Sequence, residues 1–374
     1  MVKRLIVSSG GLILALVGCG ASGGGGDTTS VSTSALAAAV NFGGVAETVT
    51  PTGTIDRSNT FFQPLGSNPR TCETCHSADQ GWTLTPLGAT TAFITTGGQA
   101  PLFLPHDEGA RPDADLTTFY QRIVDFAPTL LARGLTRFTR SNPATSEYDV
   151  VAVKDPSGFS TTSAFLNFRR PTPTANEALV SSVTWTAGPG LVRTSLSGLV
   201  SGAAGLHEQR PPTPAIPPEV VQAQDDFQLG IFFAQSIDAV AGRLDTDGAT
   251  GGPTNLMNQP FHIGINDIQG LDPAGQAFSS KVFDLFDAWA VYDQDADHDH
   301  DHAHACSPWI ANDDAHRRRL AAARAAIYRG QEIFNNTPIT MSGVSGLNDL
   351  LGQTTVTGTC STCHNSPTVG GHSV

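Results

Sequence analysis

Two short words constrain this chain more than any other feature: Cys72-Glu73-Thr74-Cys75-His76 and Cys360-Ser361-Thr362-Cys363-His364. The sequence holds six cysteines in 374 residues, and four of them sit in these words. A Cys-x-x-Cys-His word arises by chance about 0.003 times in a chain of this composition, so two copies need a chemical reason. Thiols three positions apart can be presented together by one helical turn and can add across the two vinyl groups of a haem. The histidine that follows then lies under the iron and supplies a nitrogen ligand. A structural zinc site, a thioredoxin-like redox pair and a disulfide are the alternatives. Zinc takes Cys-x-x-Cys knuckles, but a histidine directly after each pair has no role in that geometry. A thioredoxin-like motif belongs at a helix start within a βαβ unit, and no such pattern surrounds either word. The expectation is two covalently bound haem c groups, one on Cys72, Cys75 and His76 and one on Cys360, Cys363 and His364. His76 and His364 are the expected proximal ligands to iron.

Covalent haem attachment fits an exported protein, and the N-terminal sequence reads as an export signal. Lys3 and Arg4 precede an apolar run from Leu5 to Val17. That run is too short to span a membrane but suits a secretory signal. Leu16-Val17-Gly18-Cys19 reads as a bacterial lipobox, with residues 1–18 removed and Cys19 lipidated. A plain signal peptide cut after small residues is the alternative. Each acyl methylene buried in lipid contributes about 0.8 kcal/mol, so lipidated Cys19 would hold the protein to a membrane of the cell envelope, facing the periplasm or the cell surface. Residues 19–45, rich in Gly and Ser, are expected to act as a tether. An oxidising envelope is the setting in which paired thiols are handled in this way. The net charge of -13, with 21 Lys and Arg, argues against nucleic acid as a partner. It mildly favours a small periplasmic electron donor with a basic docking face.

Glycine (39) and proline (24) are numerous, which predicts long loops between scattered helices. LTTFYQRIVDFAPTLLARG is a candidate helix that Pro128 should kink or split. PPEVVQAQDDFQLGIFFAQSIDAVAGRL starts with prolines suited to a first turn. SSKVFDLFDAWAVYD places Val282, Phe283, Phe286 and Trp289 along one stripe. DDAHRRRLAAARAAIYRGQEIFNN repeats Leu320, Ile327 and Phe334 every seventh position, with acids at its start. Val150 to Val153 is a candidate strand. The class expected is mainly α. Phe61-Phe62 and Ile333-Phe334 stand ahead of the two words as aromatic or apolar anchors.

With these residues together, the chain from about Phe61 onward resembles the bacterial di-haem cytochrome c peroxidase family. The segments that carry the likeness are FFQPLGSNPRTCETCHSADQGWTLTP, LLARGLTRF, FRRPTPTAN, GGPTNLMNQPFHIGINDIQG and RGQEIFNNTPITMSGVSGLNDLLGQTTVTGTCSTCHNSPTVGGHSV. The resemblance implies two cytochrome c-like haem domains with long loops, at residues 46–245 and 246–374. It implies hydrogen peroxide as substrate, reduced at the haem on Cys72, Cys75 and His76. Electrons from the periplasmic donor would enter at the haem on Cys360, Cys363 and His364. Trp185-Thr186-Ala187-Gly188 stands where many relatives carry Trp-Asp-Gly-Arg, and Gln228 stands where they carry a glutamate. The sequence ends at Val374, ten residues after His364, so the second haem domain is expected to be incomplete. A non-enzymatic electron-transfer cytochrome is the alternative reading.

His207, in GAAGLHEQ, sits where relatives show a Gly-His-Ala-Gln-like word. It is the candidate for a catalytic or ligating role at the first haem, against a hydrogen-bonded loop histidine. His262 is read as packing, Met257 and Met341 as core rather than as thioether ligands, and His372 as a residue near the second haem. Arg169 and Arg170 suit haem propionates or solvent equally. Asp and His alternate through residues 293–304, with Cys306 nearby. That tract is either a solvated loop or a weak transition-metal site, the latter making a metal-buffering surface lipoprotein a third reading.

Overall fold

The computed structural model describes residues 36–105, 110–111, 113–141, 149–155, 158–179, 196–258, 281, 283–295, 308–345, 347–349, 351–362 and 364. All the described residues belong to one compact unit, Thr33–Val374.

Strands β1 (Ala37–Asn41) and β2 (Gly44–Val49) form a hairpin. The turn ends on Gly44 at φ +133°, where a Cβ would lie 2.1 Å from the Ile237 carbonyl oxygen, so only glycine fits. β2 pairs antiparallel with β5 (Phe232–Asp238), and β5 with β6 (Gly242–Arg243), in the order β1-β2-β5-β6. Two further antiparallel pairs stand apart from this sheet: β3 (Thr136–Ser141) with β4 (Ala164–Arg169), and β7 (Ile339–Ser342) with β8 (Thr355–Gly358).

Helix α1 (Pro86–Thr96) begins with Thr85 accepting the Gly88 N–H at 3.0 Å and ends at left-handed Gly97. It buries Ala89 and Phe93 against Leu84, Leu102, Phe103, Phe126 and Leu130. Helix α2 (Phe119–Phe126) opens with a capping box between Thr118 and Gln121. At Pro128 the chain widens into a π turn over Ala127–Leu131, which absorbs the N–H that proline lacks. Helix α3 (Leu196–His207) and α4 (Pro218–Leu229) pack on each other. Short α5 (Pro253–Met257) lies against β2 and β5. Short α6 (Ala290–Asp295) packs along α7 (Pro308–Asn336), the longest helix.

The expected mainly α class, with two cytochrome c-like haem domains and the second incomplete, is therefore corrected. The described residues contain eight strands in three antiparallel sheets beside seven α-helices, a mixed architecture. The reason is clearest where a single long helix was expected from Pro217 to Leu244. Gly230 ends α4, and Phe232–Asp238 pairs into the sheet between β2 and β6. Two aromatics and the β-branched Ile237 suit that pleated, half-buried surface. Val150–Val153 lies outside any strand.

Candidate functional site

The first word is a tight helical turn, Cys72–Thr74, in which the Thr71 N–H bonds the Thr74 hydroxyl at 2.9 Å. The backbone closes so that the His76 N–H reaches the Cys72 carbonyl at 3.0 Å. In the second word the turn is Cys360–Thr362, and the His364 N–H reaches the Cys360 carbonyl at 3.1 Å. The same spacing thus gives the same local fold at two places. Cys72, Cys75 and Cys360 are each half-buried; Cys363 lies outside the described residues.

Around the first word two apolar clusters meet. Cys75 packs on the cluster of Leu84, Phe93 and Phe126, while Cys72 packs on Phe61, Trp82 and Ile231. The Phe61 anchor is fully buried, and its ring contacts Trp82 at 6.0 Å and Phe227 of α4 at 5.1 Å. Burial, helped by the charge of Glu208, pushes the Cys72 thiol pKa up to about 12.

His76 Nδ1 lies 3.1 Å from the Trp82 carbonyl oxygen. A carbonyl only accepts, so Nδ1 carries the hydrogen and the lone pair belongs to Nε2. This is the tautomer in which imidazole ligates a metal with its orientation fixed from behind. Although the residue retains some surface, burial of the ring pushes its pKa down to about 4. Two cysteines three positions apart beside an imidazole of this tautomer fit a thioether-linked haem.

The segment 171–176 wraps the same histidine. Thr83 Oγ1 donates to the Pro171 carbonyl, the Thr172 backbone lies beside the His76 ring, and the Thr174 N–H donates to the Trp82 carbonyl at 3.1 Å. His207 ends α3 close enough for its charge to help lower the His76 pKa. The His207 carbonyl accepts from Asn68 Nδ2 at 3.0 Å and from Arg70 at 3.4 Å. Arg70 is buried and also donates to the Pro101 carbonyl at 3.0 Å. Gly66 passes so near Glu208 that a Cβ would meet its carbonyl oxygen at 1.9 Å. These contacts bring His207 to the first word.

Compared with protein-family models, curated proteins and solved structures, the chain matches none.

Glu208 and Gln224 were missed in the sequence. Glu208 is buried, accepts the Leu65 N–H, and has its pKa raised by burial against the opposing effect of that bond. Its only signal was adjacency to His207. Gln224 is enclosed on α4 with Oε1 4.0 Å from Cys72 Sγ, and nothing local in its sequence marks it. Gln228 is buried, with its amide donating to the Gln224 carbonyl at 3.3 Å.

At the second word, Phe334 of α7 stacks 6.2 Å from the exposed His364 ring and 4.9 Å from Phe283. Met257 packs on Val49, Leu179, Phe232 and Leu256, a core role. Met341 lies in β7. Arg170 donates to the Arg133 carbonyl at 2.7 Å. The tract begins in α6, where Asp293 pairs with Arg329 at 2.6 Å. Its remainder, with Cys19, Trp185–Gly188, His262, Cys306 and His372, lies outside the described residues. Among the described residues no three His, Cys, Asp or Glu side chains converge as a bare-ion site. No described helix is long and apolar enough to cross a membrane.

Proposed function

We propose that this is a c-type di-haem redox protein, related to the di-haem cytochrome c peroxidases, that reduces hydrogen peroxide with electrons from a small periplasmic donor. The cofactors are two haem c groups, on Cys72, Cys75 and His76 and on Cys360, Cys363 and His364. Lipid on Cys19 holds the protein in the cell envelope. The observation that carries the reading is the His76 Nδ1 bond to the Trp82 carbonyl, which leaves Nε2 for iron at the end of the turn that bears Cys72 and Cys75. Bound haem supplies one-electron chemistry and an iron site for oxygen ligands. The chain's own contribution at the first site is to fix the imidazole from behind, to enclose the attachment turn between two apolar clusters, and to bring His207 beside it. The second site, with His364 exposed, suits electron entry.

The test is pyridine haemochrome quantification of the mature protein followed by peroxide-dependent oxidation of reduced cytochrome c. Two haems per chain with steady turnover are expected. Absence of turnover after reductive activation would remove the peroxidase. One observation favours electron transfer alone: the Gln228 amide is tied to its own helix and offers no titratable proton. That reading requires two low-spin haems that bind no cyanide, and a high-spin or cyanide-binding haem would eliminate it.

A further inference from the structure

Gln224 has none of its surface exposed. Its Oε1 lies 4.0 Å from Cys72 Sγ, where a thiol S–H can donate to it, and its Nε2 is buried with no hydrogen-bond partner among the described residues. A leucine or methionine would fill this place without stranding a donor, so an enclosed amide with an idle N–H is unfavourable until an acceptor arrives. Thioether formation at Cys72 changes the pairing. The sulfur bonds to a vinyl carbon and its hydrogen goes to the neighbouring carbon, with no net oxidation. The sulfur can then only accept, and the amide oxygen loses its donor while the amide N–H is still unused.

We propose that Gln224 is a positioning residue for the attached cofactor, its amide turning over to donate Nε2–H to the Cys72 thioether sulfur. This rests on the reading that the first word carries haem. A donor aimed at that edge withdraws electron density and favours the reduced state, raising the potential of the first haem relative to an apolar replacement.

The experiment compares holoprotein of wild type and Gln224→Met by spectroelectrochemical titration and resonance Raman spectroscopy. The midpoint potential of the first haem falls in Gln224→Met, while that of the second, an internal reference, is unchanged. In wild type the thioether C–S stretching band shifts between water and deuterated water, and in the variant that shift is lost. An unchanged first midpoint, or a wild-type band insensitive to deuteration, overturns the proposal. The isotope measurement on wild type decides by itself if the variant does not fold. Absence of haem from the first word, read from the mass of the peptide spanning Cys72–His76, overturns the site reading beneath it and is distinguishable from the other outcomes.

Discussion

Trp82 holds His76 with its backbone and is itself held by its side chain. Its φ of 60° lies in the left-handed region that side-chain-bearing residues seldom adopt. The indole compensates: it is fully buried and donates Nε1–H to Thr48 Oγ1 at 3.0 Å. Packing therefore keeps the carbonyl in the one direction that meets His76 Nδ1. Trp82→Phe removes the hydrogen bond and should lower unfolding free energy by about 1–2 kcal/mol. Trp82→Ala also removes the packing and should cost about 3–5 kcal/mol. Denaturant titration measures both. If haem is carried on both words, as proposed, the alanine variant should also alter the absorption spectrum of the first haem while sparing the second.

At the scale of elements, helix ends and one long helix carry specific interactions. Asp115 accepts from the Thr117 hydroxyl and backbone N–H at the entrance to α2, and these bonds hold its pKa below the usual carboxylate value. A lowered folded-state pKa means that the stabilisation is complete above the unfolded value and disappears as the pH falls through the folded one. The stability difference between wild type and Asp115→Asn should accordingly shrink on acidification below pH 4, which parallel urea titrations would follow. Helix α7 is fastened by buried Arg324, whose guanidinium lies 4.9 Å from the Trp289 ring and 5.3 Å from that of Tyr292. The same group pairs with Asp247 and donates to the Ala241 carbonyl at 3.1 Å. Arg324→Ala should reduce unfolding free energy by about 3 kcal/mol, seen as an earlier calorimetric transition. Its seven-residue repeat made α7 legible, and its paired prolines did the same for the start of α4. The β1–β2 hairpin and β5 were not legible. The apolar residues of Phe232–Asp238 fit a helical stripe equally well, and only pairing with β2, about 190 positions earlier, decides for a strand.

In the molecule as a whole, the two turns were readable because the repeated Cys-x-x-Cys-His spacing closes the backbone in the same way at Cys72 and Cys360. The enclosure of the first turn was not, since residues 61–82, 171–176, 207–208 and 224–231 meet only through tertiary folding. If haem joins those segments, Cys72→Ala/Cys75→Ala should lower the melting temperature more than Cys360→Ala, because the first turn lies between two clusters and the second leaves His364 exposed. Differential scanning calorimetry of the purified variants compares them, and equal losses would contradict the expectation. The order of the central sheet also has a consequence in time. A chain is delivered N-terminus first, and Cys72 and Cys75 appear more than 140 residues before α4 and β5 wall them in. During that interval the turn stands open to any enzyme that would attach a group to it, and once β5 slides in beside β2 the door is shut.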